Sequence, residues 1–132
     1  MDTARLSRYV SDLWDAEIVP QLVEYIRIPN KSPMFDAKWK EHGHMHAALK
    51  LMETWARAKL AAVPGATLEV LELEGRTPLI YIDVPGTGDD TVMLYGHMDK
   101  QPEMTGWNEG LGPWTPVIQN DRLYGRGGAD DG

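Results

Sequence analysis

The spacing of apolar residues changes once along this 132-residue chain, and that change constrains the fold more than any other feature. Up to about residue 62, apolar side chains recur at three- and four-residue steps. This spacing predicts a helix over Thr3–Arg27, kinked or restarted at Pro20, and a second helix over Asp36–Ala62. From residue 67 onwards the pattern is that of short strands. Helices followed by strands predict an α/β layer architecture.

The strand-like part of the sequence contains five candidate strands. Thr67–Leu73 and Leu79–Val84 flank a short turn, which is consistent with an antiparallel pair. Thr91–Tyr95 is a continuous apolar run and predicts a strand buried on both faces. A smaller pair is predicted over Val117–Gln119 and Arg122–Tyr124.

Composition excludes several classes of protein. Twenty Asp and Glu against thirteen Lys and Arg give a net charge of −7, which argues against nucleic acid as a partner. The absence of cysteine excludes disulfides, zinc ribbons and thiol nucleophiles. No apolar run reaches the roughly 20 residues of a membrane span, and the first residues do not resemble a secretory signal. We therefore expect a cytoplasmic protein with no membrane partner.

The first candidate site follows the predicted buried strand, in the tetrapeptide Gly96-His97-Met98-Asp99. In open α/β sheets, ligands bind beyond the carboxyl ends of the strands. His97 and Asp99 are two residues apart, so in extended backbone their side chains point the same way. A carboxylate beside an imidazole fixes its tautomer and makes it a better metal ligand. A histidine paired with an aspartate in a purely structural turn is the alternative.

The second candidate site lies at the glycine-rich end of the chain, where ten of the thirteen glycines fall within residues 86–132. Asp130 and Asp131 are adjacent there, and adjacent carboxylates are often held together by a cation or by hydrogen-bond donors. Glycines would let the backbone approach that cation. A solvated Gly/Asp turn is one alternative; a phosphate-binding loop is disfavoured because its glycine motifs are absent and acidic residues repel phosphate.

Together these segments resemble the M20 family of metallopeptidases, which includes aminoacylase, carboxypeptidase and dipeptidase relatives. The matching residues run from Leu94 to Pro102, continue through Gly106-Trp107 and Pro113–Pro116, and end in Gly125–Gly132. Lys100 departs from the family pattern, where a small or β-branched residue is usual, as does Gly132, where many members have lysine. These departures leave the subfamily, and therefore the substrate, undefined.

The resemblance implies a role for individual residues. His97 would ligate one zinc ion, Asp130 would bridge two, and Asp99 would stand behind His97 as the catalytic carboxylate. It also implies a cis peptide between Asp130 and Asp131, and a zinc pair that Co²⁺ or Mn²⁺ could replace. A water bridging the metals would attack the amide bond of a short peptide or an N-acyl amino acid. Asp131, Arg126 and Trp107 are candidates for contact with the substrate or with the ligands.

The resemblance further implies a mixed, mostly parallel sheet flanked by helices. Residues 1–132 would form the incomplete amino-terminal half of a phosphorylase/hydrolase-like zinc peptidase catalytic domain, without any lid or dimerisation domain. The family's Glu-Glu pair, a further acidic ligand and a distal histidine would follow later in the sequence. We therefore expect this chain to be inactive by itself, and the full-length protein to be a homo-oligomer.

Some residues have simpler interpretations. Arg126 could bind a substrate carboxylate, although pairing with Asp130 or Asp131 is an equally good interpretation. Trp107 could contact substrate or anchor its loop. The His42, His44 and His46 series is better explained as an exposed cluster than as a metal site, because only His42 and His46 would share a helix face. The alternative to a hydrolase is an α/β binding or assembly module that retains the fold without metal chemistry.

Overall fold

The computed structural model describes residues 2–130, which divide into two compact units. The first unit contains residues 2–29 and 100–130, and the second contains residues 30–99. Helices and short strands occur in both, which confirms the α/β class. No helix within the described range is both long and apolar enough to cross a membrane.

The first unit begins with helix α1 (Thr3–Leu13), a π-helical turn (Trp14–Ile18) and helix α2 (Val19–Arg27). The Asp2 side chain accepts a hydrogen bond from the Arg5 amide and so caps α1. Pro20 has no N–H to donate to the carbonyl four residues back, and the helix accommodates it with the wider π turn immediately before it. The predicted helix over Thr3–Arg27 is therefore confirmed, with a π-helical turn before Pro20 and a restart of the α-helix at Val19.

The first unit ends in a small hairpin formed by β3 (Val117–Gln119) and β4 (Arg122–Tyr124). The strands are antiparallel, with Gln119 opposite Arg122. Both connecting residues, Asn120 and Asp121, have positive φ, as a two-residue hairpin turn of type I′ requires. This pair was predicted with its observed bounds.

The second unit contains helices α3 (Trp39–His42) and α4 (His44–Leu60) and an antiparallel hairpin of β1 (Thr67–Leu71) and β2 (Leu79–Asp83). Gly43, with φ of 72°, ends α3 in the left-handed conformation and divides the predicted Asp36–Ala62 helix into two. The core of this unit consists of Trp39, Met45, Ala48 and Leu49.

Two predictions about the sheet need correction. The predicted buried strand Thr91–Tyr95 belongs to no ladder, and the side chains of residues 92–95 are 82–91% exposed. An apolar run becomes a buried strand only if neighbouring strands supply hydrogen bonds on both sides, and residues 2–130 supply none to this run. For the same reason the mostly parallel sheet is not seen, since both sheets in the described part of the chain are two-stranded and antiparallel.

Candidate functional site

His97 and Asp99 form a half-buried pair in the second unit. His97 Nδ1 lies 3.1 Å from Asp99 Oδ1 and 2.9 Å from the Asp99 carbonyl oxygen. Because a carboxylate and a carbonyl can only accept hydrogen bonds, Nδ1 carries the proton and donates it. The tautomer that results presents Nε2 as the basic nitrogen, which is the form of histidine that ligates a metal through Nε2.

Asn30 holds the backbone between these two residues. Its side chain is 1% exposed, and its amide nitrogen donates a hydrogen bond to the Met98 carbonyl. The Asn30 oxygen is buried without a hydrogen-bond partner in the described part of the chain. The sequence analysis assigns no role to Asn30, because no local pattern indicates a contact with a residue 68 positions away.

Lys100, which follows this pair in sequence, belongs to the first unit and is only 2% exposed. Its ammonium donates to the Tyr25 carbonyl and, at 2.7 Å, to the Ile28 carbonyl, both at the carboxyl end of α2. Its nitrogen lies 3.8 Å from the centre of the Tyr25 ring and 5.5 Å from that of Trp114. Burial lowers the pKa of Lys100 to about 7. Lys100, which departs from the family pattern, is thus a buried amine that binds carbonyl groups at the carboxyl end of α2.

The glycine-rich segment packs against this part of the first unit. A side chain at Gly125 would collide with Ile26, and one at Gly127 would lie 2.7 Å from the Lys100 side chain. Both positions also have positive φ. In this structure these two glycines approach the Ile26 and Lys100 side chains, and the approach of the glycine-rich backbone to a cation stays a prediction. Asp130 is exposed in the same unit.

Trp107 and Arg126 line one open pocket of about 330 Å³ in the first unit. The other lining residues are Met104, Thr105, Gly106, Asn108, Leu111 and Tyr124. The Trp107 indole N–H donates to the Glu103 carbonyl at 2.9 Å, so the remaining surface of the ring is apolar. Among residues 2–130 the Arg126 guanidinium makes no ion pair, and its Nε is buried without a hydrogen-bond partner. Pairing of Arg126 with Asp130 is therefore not observed.

The predicted metal ligands fall in different units, His97 in the second and Asp130 in the first. Within residues 2–130, no three His, Asp or Glu side chains are grouped closely enough to hold a metal ion. The donor chemistry of His97, with a carboxylate on Nδ1, fits a metal ligand, whereas two ligands fall short of the usual three or four. Asp131 and the Asp130–Asp131 peptide lie outside the described residues, so the predicted cis bond stays a prediction.

The histidine series in the second unit has other partners. His42 Nδ1 lies 2.8 Å from the buried Asp36 carboxylate, and this hydrogen bond lowers the pKa of Asp36. The His46 ring stacks on Trp39 with ring centres 6.1 Å apart, and its Nε2 lies 3.5 Å from Glu72. The side chains of His42 and His46 are 50% and 45% exposed, which agrees with the interpretation of the series as an exposed cluster.

Comparison with known proteins finds a similarity between the carboxyl-terminal part of the chain and one described family. Residues 93–132 match the family model described as peptidase family M20/M25/M40. The matched segment includes His97, Asp99, Trp107, Arg126 and Asp130, and it bears out the resemblance noted in the sequence.

A longer alignment relates most of the chain to an uncharacterized metallohydrolase of Methanocaldococcus jannaschii. The two sequences are 27% identical over 111 residues, which cover 82% of this chain and 27% of that protein. The chain thus spans about a quarter of the length of this relative.

Proposed function

We propose that this chain is the amino-terminal part of the catalytic domain of a metal-dependent hydrolase that cleaves the amide bond of short peptides or N-acyl amino acids. The observation that carries the proposal is the contact of Asp99 with Nδ1 of His97, because it lies inside the segment that matches the M20 family and gives His97 the tautomer of a ligand. The metallohydrolase relative supports the same class.

In this proposal His97 Nε2 and the Asp130 carboxylate are the two metal ligands that this chain supplies. Asp99 keeps the proton on Nδ1 and holds the ring in place. A divalent metal pair, zinc in the first instance, would polarise the scissile carbonyl and lower the pKa of water. The remaining ligands and the general base would come from sequence outside these 132 residues, where the rest of the catalytic domain would also lie.

The test is made on the full-length protein that contains this chain. We expect about two equivalents of zinc per subunit, and hydrolysis of dipeptides or N-acetyl amino acids that a chelator abolishes and Zn²⁺, Co²⁺ or Mn²⁺ restores. His97→Ala should abolish both metal binding at this position and turnover. Asp99→Asn should weaken metal affinity roughly 10–100-fold, as is typical when a residue behind a ligating histidine is lost.

The matched control is His44→Ala, since His44 lies outside the segment that matches the family. It should leave metal content and turnover unchanged. Hydrolysis that is insensitive to chelators and to His97→Ala would contradict the proposal. A folded full-length protein with neither metal nor turnover would instead support the second candidate, an α/β binding or assembly module without metal chemistry.

A further inference from the structure

The pocket formed by Trp107 and Arg126 combines an apolar wall with one positive charge. Trp107, Met104, Leu111 and Tyr124 supply most of the wall, and Arg126 is the sole charged residue among the eight that line it. In a chain with a net charge of −7, a pocket lined by an arginine and no acid is complementary to an anion.

The state of the Arg126 side chain indicates that its charge is available to a ligand. Its backbone N–H donates to the Pro113 carbonyl at 2.8 Å, which fixes the main chain, while its guanidinium has no partner among residues 2–130. A partly buried guanidinium without a counter-charge is unfavourable, and its planar fork of donors matches a carboxylate. A bound carboxylate would therefore neutralise the unpaired charge of Arg126 and would also form hydrogen bonds with its guanidinium.

The backbone that forms one side of the pocket is strained. Met104 has φ of 60° and Gly106 has φ of 84°, so the loop turns sharply on both sides of Thr105. A left-handed conformation at a non-glycine residue such as Met104 is uncommon, and such strain concentrates at functional sites. The strained loop is directly followed by Trp107, which presents an apolar surface to the pocket.

We propose that this pocket is a binding site for a small monocarboxylate that carries an apolar or aromatic group, with the carboxylate on Arg126 and the apolar group against Trp107. The volume of about 330 Å³ suits a molecule of the size of an N-acylated amino acid. That the natural ligand is the carboxylate end of the hydrolase substrate rests on the proposed function. The existence of the site does not.

The test measures binding to the metal-free 132-residue protein, so its outcome is independent of hydrolysis. The probe is N-acetyl-L-phenylalanine, and its uncharged amide is the matched control ligand. In ¹H–¹⁵N spectra we expect the carboxylate to shift the Trp107 indole, Gly106 and Arg126 signals, with a dissociation constant on the order of 1 mM for so open a pocket. The amide should bind at least tenfold more weakly.

Two variants test separately how the charge of Arg126 and the apolar wall of the pocket contribute to binding. Arg126→Gln should weaken binding of the carboxylate at least tenfold, whereas Arg122→Gln, on the exposed side of β4 and outside the pocket, should leave it unchanged. Leu111→Trp should block binding by filling the pocket while Arg126 remains, which keeps the test valid if Arg126→Gln does not fold. Equal binding of acid and amide, binding that survives both pocket variants, or no shift at about 20 mM probe would overturn the proposal.

Discussion

The side-chain amide of Asn30 donates a hydrogen bond to the carbonyl of Met98, the residue between His97 and Asp99. The segment that follows helix α2 in sequence thereby fixes the backbone that carries the candidate metal ligand His97 and its carboxylate partner Asp99. Asn30 is almost fully buried, so water cannot replace its contact. Asn30 is therefore a residue that positions His97 and Asp99 rather than one that reacts.

Replacement of Asn30 should show this role. Asn30→Asp preserves the shape of the side chain but replaces the donor with an oxygen that faces a carbonyl. We expect a loss of about 1–3 kcal/mol in the free energy of unfolding, measured by urea denaturation, because a buried hydrogen bond is lost. We also expect the His97 ring to populate both tautomers, which ¹⁵N chemical shifts of the ring nitrogens report.

The matched control for Asn30 is Gln101→Ala, an exposed side chain near the same segment. It should change neither stability nor the His97 tautomer. If Asn30→Asp destabilised the protein but left the tautomer of His97 untouched, Asn30 would be a purely structural residue and the positioning role would be wrong.

Lys100 should make stability depend on pH. The amine keeps its proton up to a pKa of about 10.5 in the unfolded chain and up to about 7 in the folded one, because burial disfavours the charge. Between these values the unfolded state binds more protons, so the free energy of unfolding rises with pH, by up to about 1.4 kcal/mol per pH unit. Below pH 7 the amine is charged in both states and this dependence disappears.

Lys100→Met provides the comparison, since it keeps an unbranched side chain of similar length and removes the titrating group. The rise in stability between pH 7 and 10 should be absent in this variant, measured by urea denaturation at several pH values. The exposed Lys40→Met should retain it. An identical slope in Lys100→Met and in the unmodified chain would show that another group causes the pH dependence.

The elements that sequence reasoning predicted well are those fixed by local interactions. The helix over Thr3–Arg27 follows from its apolar stripe, and the Val117–Tyr124 hairpin follows from a turn that Asn and Asp tolerate at positive φ. The strand at Thr91–Tyr95 was predicted wrongly because a strand depends on partners elsewhere in the chain. The burial of Lys100 was missed for a similar reason, since its acceptors lie more than 70 residues away.

The candidate site likewise contains features that could be predicted from the sequence and features that could not. The closeness of His97 and Asp99 was predictable because two residues at that spacing share a side of extended backbone. The role of Asn30 and the pocket shared by Trp107 and Arg126 required the folded chain. Sequence spacing indicates which residues can meet locally, whereas long-range contacts depend on packing.

Gly125 should tolerate no side chain. A methyl group there would collide with Ile26, a buried residue of α2, and φ at this position is 153°. Gly125→Ala should lower the free energy of unfolding by about 2 kcal/mol through overpacking. Gly86→Ala is the control, because Gly86 has open space around it and should change stability little.

A double-mutant cycle tests whether the collision with Ile26 is the cause. Ile26→Ala alone removes buried apolar atoms and should destabilise by about 2–5 kcal/mol. In Ile26→Ala the additional cost of Gly125→Ala should fall, because the space for the new methyl group is then present. Strictly additive effects would mean that the backbone angle, and not Ile26, excludes alanine at this position.

The exposed run Val92–Tyr95 should govern the self-association of the 132-residue protein. Four consecutive side chains that are 82–91% exposed form an apolar surface of the kind that associates with other chains. Leu94→Lys should reduce light scattering and shift the elution volume towards that of a monomer, with an unchanged Tm, because Leu94 makes little contact in this structure. Met34→Lys is the matched control, since Met34 is 83% exposed but lies outside the run, and it should leave association unchanged.

In the full-length protein we expect Leu94→Lys to lower the Tm instead of leaving it unchanged. If further strands of the proposed catalytic domain cover residues 92–95, Leu94→Lys would bury a charge there and lower the Tm of the full-length protein, whereas Met34→Lys would not. A Tm that is insensitive to Leu94→Lys in both proteins would mean that this run remains uncovered. The expectation that further strands of the catalytic domain cover this run would then be wrong, while the proposed roles of His97 and Asp99 would be unaffected.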